Sequence, residues 1–120
     1  DLTIASLGVG VHRALEAAQR LAADRGAQTT VIDLRGVQPL DRHAVCESVG
    51  DTGRLLVVDE DYRDFGLSGE LAATLMEAGI RAAYARVCVD DTIPFDRRRE
   101  DRALPNVDRI VEAAVQLLSG

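Results

Sequence analysis

The residues best placed to bind a nucleotide are two glycines at a predicted turn between a strand and a helix, in Gly8-Val9-Gly10-Val11-His12-Arg13. A dinucleotide-binding loop needs three glycines, for the turn, for approach of the pyrophosphate and for helix–strand packing. Arg13 stands at the third position, where its side chain would obstruct that packing, and Asp33 lies where a ribose-binding acid would follow. We therefore expect a tight structural turn, whose helix N-terminus could still attract an anion.

Residues that could ligate a soft metal are few and comprise His12, His43, Cys46 and Cys88. His43 and Cys46 could share one face of a helix, but two ligands do not close a zinc site. A cysteine nucleophile also needs a base held against its thiol. Ser68 lacks the spacing of a nucleophile elbow and fits a helix N-cap instead. We predict no catalytic, cofactor-binding or metal-binding residue in the chain.

An acidic segment with two aromatic residues, residues 59–65, follows the predicted third strand. Ligand contacts in α/β sheets lie at the carboxyl ends of strands, and exposed aromatic side chains beside charges are typical of interface hot spots. A solvated acidic loop explains the same pattern equally well. A Mg²⁺ site has no support, because adjacent carboxylates on an irregular loop fix no octahedral geometry.

A second long loop, residues 90–105, contains two of the three prolines and an arginine-rich run. Loops longer than roughly 12–15 residues are often functional or packed against a partner. Glu100 and Asp101 dilute the arginines, which favours ion pairs over a nucleic-acid patch. The two segments supply our interface candidates, which are Glu60, Asp61, Tyr62, Arg63, Phe65, Pro94, Phe95, Arg97 and Arg98.

Composition limits the possible classes of function. The 120 residues are 47% hydrophobic and 28% charged, which predicts one domain over residues 1–120. A formal net charge of −6 excludes a generic nucleic-acid surface and weighs against binding to an anionic membrane. Aromatic residues make up only 3% of the chain, which excludes a stacking platform for single strands. The two cysteines predict reduced thiols in the cytoplasm, and the 14 cationic residues, all Arg, indicate a GC-rich bacterial genome.

Strand and helix patterns alternate along the whole sequence. Apolar and β-branched runs predict strands at residues 2–7, 29–34, 55–58 and 85–89. The continuous apolar run at residues 55–58 predicts a strand that is buried on both faces, as in a parallel sheet. Apolar residues at three- and four-residue spacing predict helices at residues 11–25, 42–49, 68–78 and 107–118. Helix stops are predicted at Gly26, Gly50 and Gly79, and N-caps at Asp41, Ser68 and Asn106. The alternation predicts a three-layer α/β/α fold with a mostly parallel four-stranded sheet in the order 2-1-3-4.

Several segments together resemble one family. Residues 31–41 match the pattern V-I-D-L-R-x-x-x-P-L-D, and Gly66 with Glu70 matches a G-x-x-x-E helix start. Residues 91–95 and 104–110 match the family's long loop and final helix. The chain thus resembles the transketolase C-terminal domain, most closely that of the β subunit (E1β) of thiamine-dependent 2-oxoacid dehydrogenases. An unusually acidic segment at residues 59–64 and an Ile at position 93, where Pro is frequent, depart from the pattern.

The resemblance implies a non-catalytic role for the chain. Enzymes of this family bind thiamine diphosphate and Mg²⁺, decarboxylate a 2-oxoacid and pass the acyl group to a lipoyl carrier. Their cofactor contacts and catalytic His lie outside the C-terminal domain. The domain serves dimer assembly and, in some members, docking of the acyltransferase core. The implied partners are therefore other domains and subunits of the enzyme, a second copy in a homodimer, and the acyltransferase.

The resemblance also implies a fifth strand, antiparallel to the others, that precedes the position of Asp1. The family topology pairs this strand with the one at residues 29–34. We therefore expect residues 29–34 to form an edge that is either exposed or covered by a neighbouring chain, since an open edge of β-branched residues is a template for strand addition.

Two alternatives remain open at this point. The same domain also occurs in transketolase and in deoxyxylulose-phosphate synthase-like enzymes. A different class is a stand-alone flavodoxin-like nucleotide-binding or receiver module. Asp59 could serve as the phosphorylated residue of a receiver, but Gly8, Val9 and Gly10 stand where the acidic pair should follow the first strand.

Overall fold

A computed structural model describes residues 1–7, 9–34, 42–62, 67–89 and 106–119, with backbone alone for residues 9, 59–62, 67–68 and 88–89. Strands and helices alternate throughout these residues. They are β1 (Leu2–Ser6), α1 (Val9–Arg25), β2 (Thr29–Asp33), α2 (Arg42–Thr52), β3 (Arg54–Tyr62), α3 (Leu67–Glu77), β4 (Ala83–Val89) and α4 (Val107–Ser119). No helix among them is both long and apolar enough to cross a bilayer.

The described strands form one parallel sheet in the order β2-β1-β3-β4, as the sequence predicted. Ser6 of β1 lies beside Asp33 of β2 on one side and Val58 of β3 on the other. Arg54, the first residue of β3, pairs with Ala83 of β4. Parallel neighbours require a crossover, which the helices supply, so the carboxyl ends of all four strands lie at one edge of the sheet.

Helices cover both faces of the sheet and enclose two clusters of buried apolar side chains. β3 divides its residues between them, because successive side chains of a strand point to opposite faces. Leu56 and Val58 pack with residues of α1 and α4, whereas Leu55 and Val57 pack with residues of α2 and α3. None of these four side chains is more than 2% exposed, which confirms the prediction that the apolar third strand is buried on both faces.

The end of α2 differs from the prediction. Gly50 was the expected stop, but the helix continues through it to Thr52. Gly53 ends the helix with a φ of 72°, and its N–H donates to the carbonyl of Val49 at 2.8 Å. The extra turn is held by tertiary contacts, because Val49 is fully buried and the Thr52 hydroxyl lies 2.9 Å from that of Thr3 in β1. The stops predicted at Gly26 and Gly79 are confirmed.

Other boundaries also needed correction. α3 begins at Leu67, so Ser68 lies inside the helix and the predicted N-cap there is wrong. Asn106 does cap α4, because its Oδ1 accepts a hydrogen bond from the N–H of Arg109 at 2.9 Å. Asp41, the third predicted cap, lies outside the described residues. The largest change is in β3, which extends to Tyr62 where a polar loop was predicted from Asp59.

Arg54 ties three segments together at the amino edge of the sheet. Its Nε donates to the carbonyl of Leu117 in α4 at 3.1 Å, and its Nη1 donates to the carbonyl of Asp1 at 3.2 Å. The Asp1 carboxylate in turn accepts a hydrogen bond from the backbone N–H of Gln28 at 3.0 Å. The start of β1, the start of β3 and the end of α4 are therefore fixed relative to one another.

Candidate functional site

The first turn of α1 lies against the carboxyl end of β1, and Gly10 allows this approach. Ser6 is fully buried, and its hydroxyl donates to the carbonyl of Val58 at 2.8 Å, which fixes the side chain. A Cβ atom on Gly10 would overlap the Ser6 hydroxyl oxygen. The absence of a side chain at Gly10 therefore lets α1 pack closely against β1, as a glycine does in a dinucleotide-binding loop. The atom that Gly10 approaches here is the Ser6 hydroxyl oxygen. This geometry supports the structural turn over a nucleotide site.

His43 and Cys46 do lie on one stretch of α2, beside an open groove of about 350 Å³ between α2 and α3. His43 is exposed, and its Nε2 lies 3.6 Å from the carboxylate of Glu47 one turn along the helix. Cys46 is a half-buried free thiol. In the part of the chain that the structure describes, no group of three or more His, Cys, Asp or Glu residues could hold a metal ion. His12 is exposed on α1, and the side chain of Cys88 is not described.

The same groove is bordered by an ion pair that joins α2 to α3. The Nη2 atom of Arg42 lies 2.7 Å from the Glu70 carboxylate, and its Nη1 lies 3.4 Å from the Thr74 hydroxyl. Both charged side chains are about half exposed, so solvent screens the pair and its contribution to stability is small. The arrangement positions two helices rather than a reactive group.

Three of the nine predicted interface residues lie in the described part of the chain, toward the carboxyl end of β3. Glu60, Asp61 and Tyr62 belong to the backbone of β3, and their side chains are not described. The remaining six candidates lie outside the described residues, namely Arg63, Phe65, Pro94, Phe95, Arg97 and Arg98. Tyr62 pairs with Val89, the last residue of β4, beyond a register shift that follows Val58. The last residues of β3 and β4 are therefore neighbours, and the role of the two contact segments in binding stays a prediction.

β2 is an edge strand in the described sheet, as the predicted strand order requires. The N–H of Leu34 donates to the carbonyl of Ser6, so the backbone groups of Thr30 and Ile32 also face β1. Those of Val31 face away from it. The Thr29 hydroxyl is buried and has no hydrogen-bond partner among the described residues. What covers this edge stays a prediction.

A groove of about 330 Å³ runs beside the same edge, between β2 and α2. It is lined by Thr30, Ile32, Ala44, Glu47, Ser48 and Asp51. Glu47 and Asp51 are both exposed, so the groove is acidic and matches the sign of the chain's net charge. Basic residues in a segment that covers β2 from this side would therefore strengthen its binding to the acidic groove.

Sequence reasoning missed an apolar groove of about 230 Å³ between α3 and β4. Its lining consists of Ala72, Leu75, Met76, Ile80, Ala82 and Tyr84. Met76, the single methionine of the chain, is 81% exposed, whereas its neighbour Leu75 is buried. The exposure of Met76 could have been predicted from helical spacing. Leu71, Thr74 and Leu75 form the buried face of α3, and Met76 lies outside that face.

Comparison with known proteins agrees with this fold. The model of the family "Transketolase, C-terminal domain" matches residues 1–110. The chain belongs to the transketolase C-terminal domain family. This membership confirms the resemblance based on residues 31–41, and it favours that family over a stand-alone flavodoxin-like module.

The relatives of this transketolase C-terminal domain include β subunits of two dehydrogenases and of an oxidoreductase. It is 42% identical over 95% of its length to the pyruvate dehydrogenase E1 component subunit beta of Staphylococcus epidermidis. It is 37% identical over its whole length to the acetoin:2,6-dichlorophenolindophenol oxidoreductase subunit beta of Cupriavidus necator. It is also 36% identical over 99% of its length to the 2-oxoisovalerate dehydrogenase subunit beta of Bacillus subtilis. The chain spans only 36–37% of the length of these three relatives.

A solved structure shares the fold of this transketolase C-terminal domain along almost its whole length. It is described as a split gene transketolase, inactive beta4 tetramer, and superposes with a TM-score of 0.90 at 28% identity. The match covers 99% of this chain and 39% of the other. The arrangement of strands and helices found here is therefore that of a domain within a longer polypeptide in that relative.

Proposed function

We propose that the chain is the C-terminal domain of an E1β-like subunit of a thiamine-diphosphate-dependent 2-oxoacid dehydrogenase, and that it serves assembly rather than catalysis. The observation that carries this proposal is the 42% identity to a pyruvate dehydrogenase β subunit, which extends over 95% of this chain but 36% of that subunit. The proposed site of action is the cytoplasm of a bacterium with a GC-rich genome.

The spread of the relatives supports an assembly role. Their names refer to pyruvate, acetoin and 2-oxoisovalerate, yet their identities to this chain lie close together, at 42%, 37% and 36%. A segment that contacted the substrate would be expected to differ more between enzymes that act on different compounds. In this proposal the substrate is selected outside this domain, so the 2-oxoacids pyruvate and 2-oxoisovalerate and the hydroxyketone acetoin are all compatible with it.

The described residues do not fit thiamine diphosphate with its Mg²⁺. The diphosphate and the cation need converging carboxylates and carbonyl oxygens, and no acidic cluster suited to a metal exists among the described residues. Gly10, in the first turn of α1, packs directly against Ser6 at the carboxyl end of β1. In this proposal the cofactor is bound by other parts of the parent enzyme.

Calorimetric titration tests the location of the cofactor. We expect no saturable heat when thiamine diphosphate and Mg²⁺ are added to the folded 120-residue chain, because the residues that the structure describes form no metal-binding cluster. The control is the same titration into the Gly50→Ala variant, which changes a residue with open space around it. Micromolar binding to both proteins would contradict the proposal that the cofactor site lies elsewhere.

For the partner, we propose that the carboxyl edge of the sheet contacts other subunits of the enzyme and the acyltransferase core. The support is topological, since Tyr62 and Val89, the last residues of β3 and β4, pair with each other. Their composition adds aromatic residues and charges of both signs, which interfaces use for anchoring and orientation.

Charge reversal in the acidic segment tests this docking surface. We expect Glu60→Arg or Asp61→Arg to weaken association with a basic partner subunit about 3- to 10-fold, because the substitution places like charges across the contact. The matched control is Glu112→Arg, on an exposed position of α4. Surface plasmon resonance at two salt concentrations measures the affinities, and equal losses in all three variants would contradict a specific role for the segment.

The equivalent domain of a transketolase is the second candidate. The observation that favours it is the close superposition on the split gene transketolase structure, with a TM-score of 0.90. Its identity of 28% is lower than the 36–42% shared with the dehydrogenase β subunits, which places the dehydrogenase first. The parent gene immediately upstream of Asp1 distinguishes the two, because the preceding domains differ between these enzymes.

A further inference from the structure

We draw no further inference here: the strongest candidate, the acidic groove between β2 and α2 that Glu47 and Asp51 line, carries nothing, because a segment laid along β2 would restate the family's antiparallel fifth strand and no second observation among the described residues marks a separate ligand site there.

Discussion

Gly10→Ala is expected to lower the free energy of unfolding by about 1–3 kcal/mol, because it overpacks the contact between α1 and β1. The added methyl group would overlap the hydroxyl oxygen of Ser6. Rotation of that hydroxyl would relieve the overlap but would break its hydrogen bond to the Val58 carbonyl and leave a buried polar group unsatisfied. Alanine also favours helix by up to about 1 kcal/mol relative to glycine, so overpacking must exceed this gain.

Urea unfolding of Gly10→Ala and of Gly50→Ala separates the cost of overpacking from the gain in helix propensity. Gly50 lies inside α2 with open space around it, so the same substitution there is expected to raise stability by about 0.5–1 kcal/mol. The double variant Ser6→Ala/Gly10→Ala should recover part of the loss, because the nearest remaining atoms, the Cβ of residue 6 and Cγ1 of Val58, lie 3.5 and 3.6 Å away. Equal stability of the two single glycine variants would show that the contact does not limit packing.

Leu56→Ala is expected to have the largest effect, a loss of about 2–5 kcal/mol. Leu56, the third residue of β3, is fully buried in the cluster that joins the sheet to α1 and α4. Because it packs against several elements that cannot all move inward, removal of its side chain leaves a cavity as well as losing buried apolar area. For a domain of typical stability this is a large fraction of the total free energy of unfolding.

The matched comparison for Leu56→Ala is Leu15→Ala on the surface of α1. Leu15 is 47% exposed, so its truncation should change stability by no more than about 0.5 kcal/mol. Chemical denaturation followed by far-UV and near-UV circular dichroism gives the free energy of unfolding of each variant. The chain has no Trp, so Tyr84, which is half-buried in β4 beside β3, supplies a near-UV signal for the tertiary structure. Similar losses in both variants would mean that the core tolerates a cavity at Leu56.

The topology could be predicted from the sequence because its determinants are local and repeated. Apolar runs alternate with amphipathic segments, and this alternation admits few arrangements other than a parallel sheet. The apolar run at residues 55–58 predicted burial on both faces, and the structure confirms it. The strand order 2-1-3-4 was predicted as the doubly wound arrangement that this alternation favours, and the described sheet confirms it.

Element boundaries were harder to predict because tertiary contacts override local signals. Gly50 is a plausible helix stop by itself, yet the burial of Val49 and the hydroxyl contact between Thr52 and Thr3 extend α2 by a turn. The charged residues after Val58 suggest a loop, yet pairing with β4 keeps the backbone in strand geometry through Tyr62. Neither effect is visible in a window of a few residues.

Surface features were the least predictable part of the candidate site. Gly10 was identified as important from its position after a strand, but the reason for it is a serine hydroxyl that sequence spacing does not reveal. The groove beside Met76 depends on how the turn at Gly79 folds back against α3, which is a three-dimensional property. The interface candidates chosen from composition lie at or beyond the ends of β3 and β4.

The ties made by Arg54 determine how the chain should be attached to a sensor surface. They hold the first residue and the end of α4 at the amino edge of the sheet. β3 has 9 residues and so spans about 30 Å, which separates a biotin or fluorophore on either terminus from Tyr62 at the opposite edge. Terminal immobilisation therefore leaves the carboxyl edge open to a partner in solution. The groove beside Met76 opens near the start of β4, on the tethered side.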